Sequence, residues 1–132
     1  MNLTFIPNFK LHANLYALNF ALLFMHEIDS AYWQEWNLFG LPGGIQLFLV
    51  INFFLFAIGI GGYNRLLSHH KIGYVISLIL SFAGIFAFLI HSYFILNGHP
   101  EFSTSVSELL LILILIVSLI QAFICIKELS QK

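Results

Sequence analysis

The sequence predicts an all-α integral membrane protein, an antiparallel four-helix bundle with four transmembrane helices and both termini in the cytoplasm. Three observations predict it. Hydrophobic residues make up 60% of the 132 positions and charged residues only 8%, whereas an ordinary soluble domain is about a quarter charged. Four apolar stretches run over about 11–28, 44–63, 72–97 and 105–127, each near the roughly 20 residues that cross ~30 Å of hydrocarbon. Threaded up and down, these spans put Lys10, Arg65, Lys71, Lys127 and Lys132 on one face. Glu27, Asp29, Glu35, Glu101 and Glu108 fall on the other, and only Glu128 joins the basic side. The positive-inside rule makes the basic face cytoplasmic.

Each element follows from its residues. A short lead over 1–10 holds Phe5, Pro7, Phe9 and Lys10. The first span is interrupted by His12, Asn14 and Asn19 and ends in His26-Glu27-Ile28-Asp29 rather than in a small-residue cleavage site. It therefore reads as a retained span and not as a signal peptide. The loop from Ser30 to Gly43 carries Tyr32, Trp33, Trp36 and Phe39, side chains that favour the headgroup level because a flat apolar ring keeps its polar edge hydrated there. A helical turn is expected over 30–38, before Pro42-Gly43-Gly44 turns the chain inward. Gly59, Gly61 and Gly62 are expected to loosen the cytoplasmic end of the second span. Arg65, His69, His70 and Lys71 form a basic hairpin suited to anionic headgroups. The third span ends in a compact outer turn over 97–104, built on Gly98 and Pro100, and the fourth completes a single domain over 1–132.

Several classes are excluded. The chain has no alternating strand pattern, and a backbone in lipid must satisfy its own hydrogen bonds, so helices are the spanning structure. A net charge of −1 gives no reason to expect nucleic acid; membrane lipids are the expected partners. Cys125 is the single cysteine, so there is no intramolecular disulfide.

Polar residues within the spans fall in stripes. His12, Asn19 and His26 recur every seven residues on the first, and Ser77, Gly84 and His91 do so on the third. Gln46 and Asn52 mark the second, and Glu108, Ser118, Gln121 and Cys125 the fourth. Polar groups in a bilayer are costly unless they face the interior and find partners, so all four stripes are expected to face one axis.

The acidic face also receives His26, His91 and His99. His26 and Asp29 are three apart and share a helix face. His91 lies five residues inside the end of its span, and an intramembrane ionisable group is a functional residue by default. Three imidazoles and several carboxylates thus reach one depth from three segments. Neutral imidazole with carboxylate suits Zn²⁺ first, with Fe²⁺ or Mn²⁺ as alternatives. The expected ligand set is His26, Asp29, His91 and His99. Glu27, Glu35 and Glu101 remain as outer groups, with Glu27 and Glu101 the candidate catalytic bases. The bland alternatives are interfacial histidines bonded to water, a Glu108 that only complements a helix dipole, and Trp33 and Trp36 as belt anchors. The chain lacks a His-Glu-x-x-His helix, a Walker loop, a dinucleotide glycine pattern and a nucleophile elbow.

Met25-His26-Glu27-Ile28-Asp29, Glu35-Trp36, Asn64-Arg65, His91 and Gly98-His99-Pro100-Glu101-Phe102 together resemble a family of small bacterial four-span membrane proteins of unknown function. Its members show His-Glu-Leu-Asp, Glu-Trp, a late His and Gly-His-Pro in this order. The resemblance covers nearly the whole chain, with Ile28 where Leu is usual and a longer interval from His91 to His99. It implies a bacterial cytoplasmic membrane and points to the same residues, and it implies no activity.

Three functions compete. The first is a metal-dependent membrane hydrolase whose site opens at the outer leaflet to a lipid or amphiphile. A bound ion would lower the pKa of its water to near 7 and polarise a carbonyl or phosphoryl group, with Glu27 or Glu101 moving the proton. The second is a non-enzymatic homo-oligomer, a pore, carrier or membrane effector with His12, Asn19 and His26 lining a route. The third is haem ligation between His26 and His91, which leaves the nearby acids unexplained.

Overall fold

Polarity is unusual in this protein: many polar side chains share the interior with Tyr16, Leu66, Tyr74, Leu111 and Ile114, and many large apolar ones face out. The computed structural model describes residues 9–131. It contains five helices, α1 (Phe9–Tyr32), α2 (Glu35–Leu38), α3 (Gly44–Leu67), α4 (Lys71–Leu96) and α5 (Ser105–Ser130). The lead residues Phe5 and Pro7, and Lys132, lie outside the described residues. The four long helices have 24 to 26 residues each, about 36–39 Å at 1.5 Å per residue. Of these, α3, α4 and α5 are long and apolar enough to cross a membrane. The helix α1 is as long as α3 but carries His12, Asn19, His26, Glu27 and Asp29.

The long helices pack in a ring. Both α3 and α5 flank α1, both flank α4, and α3 and α5 stand on a diagonal without touching. Phe53, Phe54, Phe82, Phe86 and Phe123 project from the outer faces, each more than half exposed. His12, Asn19, His26, Ser77, Ser118 and Gln121 are buried instead. In water this arrangement would forfeit the hydrophobic effect; in hydrocarbon it is the arrangement that hides polar groups.

Local chemistry sets the helix ends. His70 caps α4, its Nδ1 accepting from the Ile72 backbone N–H at 3.2 Å, and Thr104 caps α5, its Oγ1 accepting from Ser107 N–H at 3.2 Å. Gly43 and Gly44 both adopt positive φ, which lets the chain turn tightly into α3. Glu108 is exposed in the first turn of α5, where it complements the helix dipole.

The glycines near the end of α3 do not loosen it, contrary to expectation. The helix stays intact to Leu67, because Gly59 and Gly62 serve close approach. A Cβ on Gly62 would strike Ile76 and the Tyr16 hydroxyl, and one on Gly59 would strike the Phe20 ring. A Cβ on Gly73 would land on the Leu66 backbone nitrogen, so α3 and α4 meet there nearly backbone to backbone.

A buried polar seam joins α1, α4 and α5. His12 Nδ1 lies 2.7 Å from Glu128 Oε2, and His12 Nε2 lies 2.7 Å from Ser77 Oγ. Gln121 Nε2 donates to Ser77 Oγ at 2.9 Å, and Asn19 Nδ2 donates to Gln121 Oε1 at 2.8 Å and Ser118 Oγ at 3.0 Å. With Glu128 ionised, the network assigns the proton to His12 Nδ1 and makes Nε2 an acceptor from Ser77. The donors of Asn19, Gln121, Ser77 and His12 then run in one direction to the Glu128 carboxylate, while Ser118 Oγ donates back to Asn19 Oδ1 at 3.2 Å.

Candidate metal centre

The second cluster lies at the opposite end, where α1 and α4 finish and α3 and α5 begin. Two elements deliver its imidazoles: His26 is one heptad beyond Asn19 on α1, and His91 is two heptads beyond Ser77 on α4. Both are buried. Their rings meet edge to face with centroids 4.8 Å apart and planes at 70°.

The carboxylate comes from the link between α1 and α3. Gln34 takes a left-handed conformation, φ 53°, and starts α2 with Glu35 as its first residue. That kink carries Glu35 back over the helix ends, and its Oε1 reaches 3.2 Å from His91 Nε2. Burial works against ionisation of Glu35, but the His91 contact and the charges of His91 and His26 oppose it and hold the carboxyl below its ordinary range. One ligand-type atom from each of His26, Glu35 and His91 lies within 4.8 Å of the other two.

Phe102 roofs the pair. It is fully buried, 4.0 Å from the His91 ring, 5.5 Å from His26 and 6.3 Å from Trp33 between centroids. Its φ of 64° is an outlier for a bulky residue, a strain that only surrounding contacts can hold in place. The same ring stack leaves no slot for a planar macrocycle between His26 and His91, so the geometry does not suit the haem alternative.

The site is short of hydrogen bonds. His26 Nδ1, His91 Nδ1, Asp29 Oδ2, Ser30 Oγ, Trp33 Nε1 and Glu101 Oε2 are all buried without a hydrogen-bond partner. Buried polar atoms are nearly always partnered, and each orphan costs about 1–3 kcal/mol. Such a concentration at one end marks a place where a ligand, ion or water belongs. A cavity of about 230 Å³ opens beside the cluster, lined by His26, Glu27, Glu35, Phe39 and His91 among others.

The sequence-predicted residues divide. His26 and His91 come together, and Glu27 lines the same cavity. Asp29 and His99 stand outside the close group. Asp29 keeps a buried, unpartnered oxygen one turn from His26. His99 packs against Phe94 at 5.3 Å, with Nδ1 3.5 Å from Glu101 Oε2. Glu35 takes the carboxylate place, a role that sequence reasoning left among the outer groups.

The seam's chemistry differs. Glu128, His12 and Ser77 stand in the order of a hydrolase triad, yet Ser77 is fully buried and the cavities beside the histidines do not reach it. Sequence spacing contained the signal for Glu128, because Ser118, Gln121, Cys125 and Glu128 continue one face of α5.

Residues 12–128 match the family of unknown function DUF6713, and the chain belongs to that family. No curated protein and no solved structure matches it.

Proposed function

We propose that this DUF6713 protein is a four-span protein of a bacterial cytoplasmic membrane that binds a divalent cation at His26, Glu35 and His91 and uses it to hydrolyse a lipid or amphiphile. The observation that carries the reading is the convergence of two buried imidazoles, each with an orphaned Nδ1, on one carboxylate. Two His and one carboxylate are a common catalytic zinc set that leaves a coordination position open, and the same set serves non-haem iron. Ligand atoms on tetrahedral zinc stand about 3.3–3.5 Å apart. The His91–Glu35 separation of 3.2 Å suits this, and the other pairs lie within 4.8 Å.

A divalent ion at this position supplies Lewis acidity toward a carbonyl or phosphoryl oxygen and an acidified water. Glu27, on the cavity wall, would be the base that holds and moves the proton there. Glu101 is the secondary candidate, its Oε2 buried beneath the turn at 97–104.

In this reading α1 is the fourth span, and its polar face is tolerated because it meets α4 and α5. Lys10, Arg65, Lys71 and Lys127 gather at the end far from His26 and His91, which supports reading that end as cytoplasmic and the metal site as lying in the outer leaflet. The pore alternative draws on the polar seam, but the seam stops at Asn19 and Ser118. Buried Leu111, Ile114 and Ala87 fill the stretch before His26.

Elemental analysis of the protein purified in detergent without chelator is the test. The expected result is stoichiometric zinc, iron or manganese that is absent from His91→Ala. A metal-free wild type that melts well above His91→Ala would replace the enzyme with a structural polar cluster.

A further inference from the structure

The proposed metal site adjoins a second, apolar cavity of about 140 Å³ bounded by α1, α3 and α4. Leu23, Glu27 and Ala83 line both, so the two form one groove. Its floor is Phe20 and Leu23 of α1, and its walls are Leu55 and Phe56 of α3 with Ile76 and Leu80 of α4. The geometry points to a binding groove for one acyl chain of a membrane lipid, with the lipid's polar head at His26, Glu35 and His91.

Three features select that occupant. First, polarity is graded along the groove. Glu27 and Asn52 are the polar side chains lining the apolar cavity, whose other walls are hydrocarbon and Gly59, while the imidazoles and Glu35 stand at the far end. A ligand that fits is polar at one end and apolar for the rest. Second, the length is right. From Ile76 to His91 the groove follows α4 for about 22 Å, of which the apolar part up to Ala83 takes about 10 Å. One leaflet's hydrocarbon is about 15 Å deep, so an extended tail whose head sits at His91 fills the apolar part by passing the midplane near Ala83, the middle of α4. Third, the groove is open sideways: Leu55, Ile58 and Ile79 at its lips are 53%, 56% and 60% exposed. A tail enters from the bilayer, and the lipid's other tail stays there.

The groove exists because of the crossing of α3 and α4. Their backbones meet at Gly73 and Leu66 and diverge toward the metal end, and the gap stops where Gly59 packs on Phe20. A tail moving from bilayer to groove gains no hydrophobic free energy, since both are hydrocarbon. Selection rests on packing against these walls and on the head at the metal site. The inference rests on the proposed metal reading for the head alone.

The test is photolabelling in vesicles of phosphatidylethanolamine and phosphatidylglycerol, with a phosphatidylethanolamine that carries a diazirine at the terminal carbon of one tail. Labelled residues are mapped by mass spectrometry, and metal content is measured on the same samples. Labelling should concentrate on Phe20, Phe56 and Ile76 and fall several-fold in Ala83→Phe, which fills the neck of the groove from an exposed position without disturbing the core. Leu89→Phe, on the same helix but lining neither cavity, should label like the wild type. Labelling spread over the outer faces of α3, α4 and α5, or unchanged in Ala83→Phe, overturns the groove whatever the metal content. Concentrated labelling on a metal-free protein upholds the groove and discards the metal reading.

Discussion

The Oε1 atom of Glu35 lies 3.2 Å from Nε2 of His91, joining a residue of the link between α1 and α3 to one buried inside α4. The contact ties the four-residue α2 to the wall of the bundle and completes the group of ligand-type atoms around His26. The centre therefore depends on a link segment as much as on the long helices.

The proposed ligand set is separable by substitution. His26→Ala, His91→Ala and Glu35→Gln should each weaken metal binding by more than about 100-fold, because losses from outer groups alone cost 10–100-fold. Asp29→Asn and His99→Ala should stay within that smaller range. Calorimetric titration with zinc on chelator-stripped protein distinguishes the sets. A His99→Ala loss equal to that of His26→Ala would restore the ligand group read from sequence.

The seam should behave as a buried pair. His12→Leu leaves the Glu128 carboxylate without its 2.7 Å partner and should cost about 3–5 kcal/mol. The double variant His12→Leu with Glu128→Leu should recover much of this, a coupling that a thermodynamic cycle reads from unfolding in detergent. Metal content should not change, since His12 and His26 are fourteen residues apart, about 21 Å along the helix.

Crossing glycines and idle ones should respond oppositely. Gly73→Ala drives a methyl into the Leu66 backbone and should destabilise by at least about 1–3 kcal/mol. Gly61→Ala meets nothing within 4 Å and should be neutral or stabilising by up to about 1 kcal/mol. Melting temperatures of the two variants in one detergent make the comparison. Equal effects would mean that α3 and α4 do not approach as described.

Orientation has a direct readout. Cys125 is fully buried, so the native protein offers a quiet background to an impermeant thiol reagent. Ser103→Cys should react on intact cells and Ser68→Cys only after lysis. The reverse pattern would move the proposed metal site to the cytoplasmic side.

Much of this architecture was legible because hydrocarbon punishes a misplaced polar group. The heptads His12-Asn19-His26 and Ser77-Gly84-His91 had one inexpensive direction to face, and all six lie buried in the interior. Glu35 was not legible as a member of the close group. Its position depends on the left-handed turn at Gln34, and a link has no periodicity from which to read direction. Phe102 was hidden for the same reason, since its role as a roof depends on a positive φ that its residue type disfavours. The glycines of α3 were misjudged because local propensity treats glycine as a weak point, whereas helix pairs in lipid use it as a contact.

The seam also sets an order of events during biosynthesis. His12 and Asn19 emerge from the ribosome early, yet their partners Ser77, Ser118, Gln121 and Glu128 lie 65 to 116 residues downstream. Under the proposed topology α1 cannot settle in lipid alone, because its buried face stays unsatisfied until α5 has been made. The nascent first helix must wait in a polar shelter, the insertion machinery or the bilayer surface, and lock in only when the last helix arrives. Truncation before α5 should therefore leave α1 outside the hydrocarbon and open to proteolysis, so the protein's final segment acts as the fastener of its first.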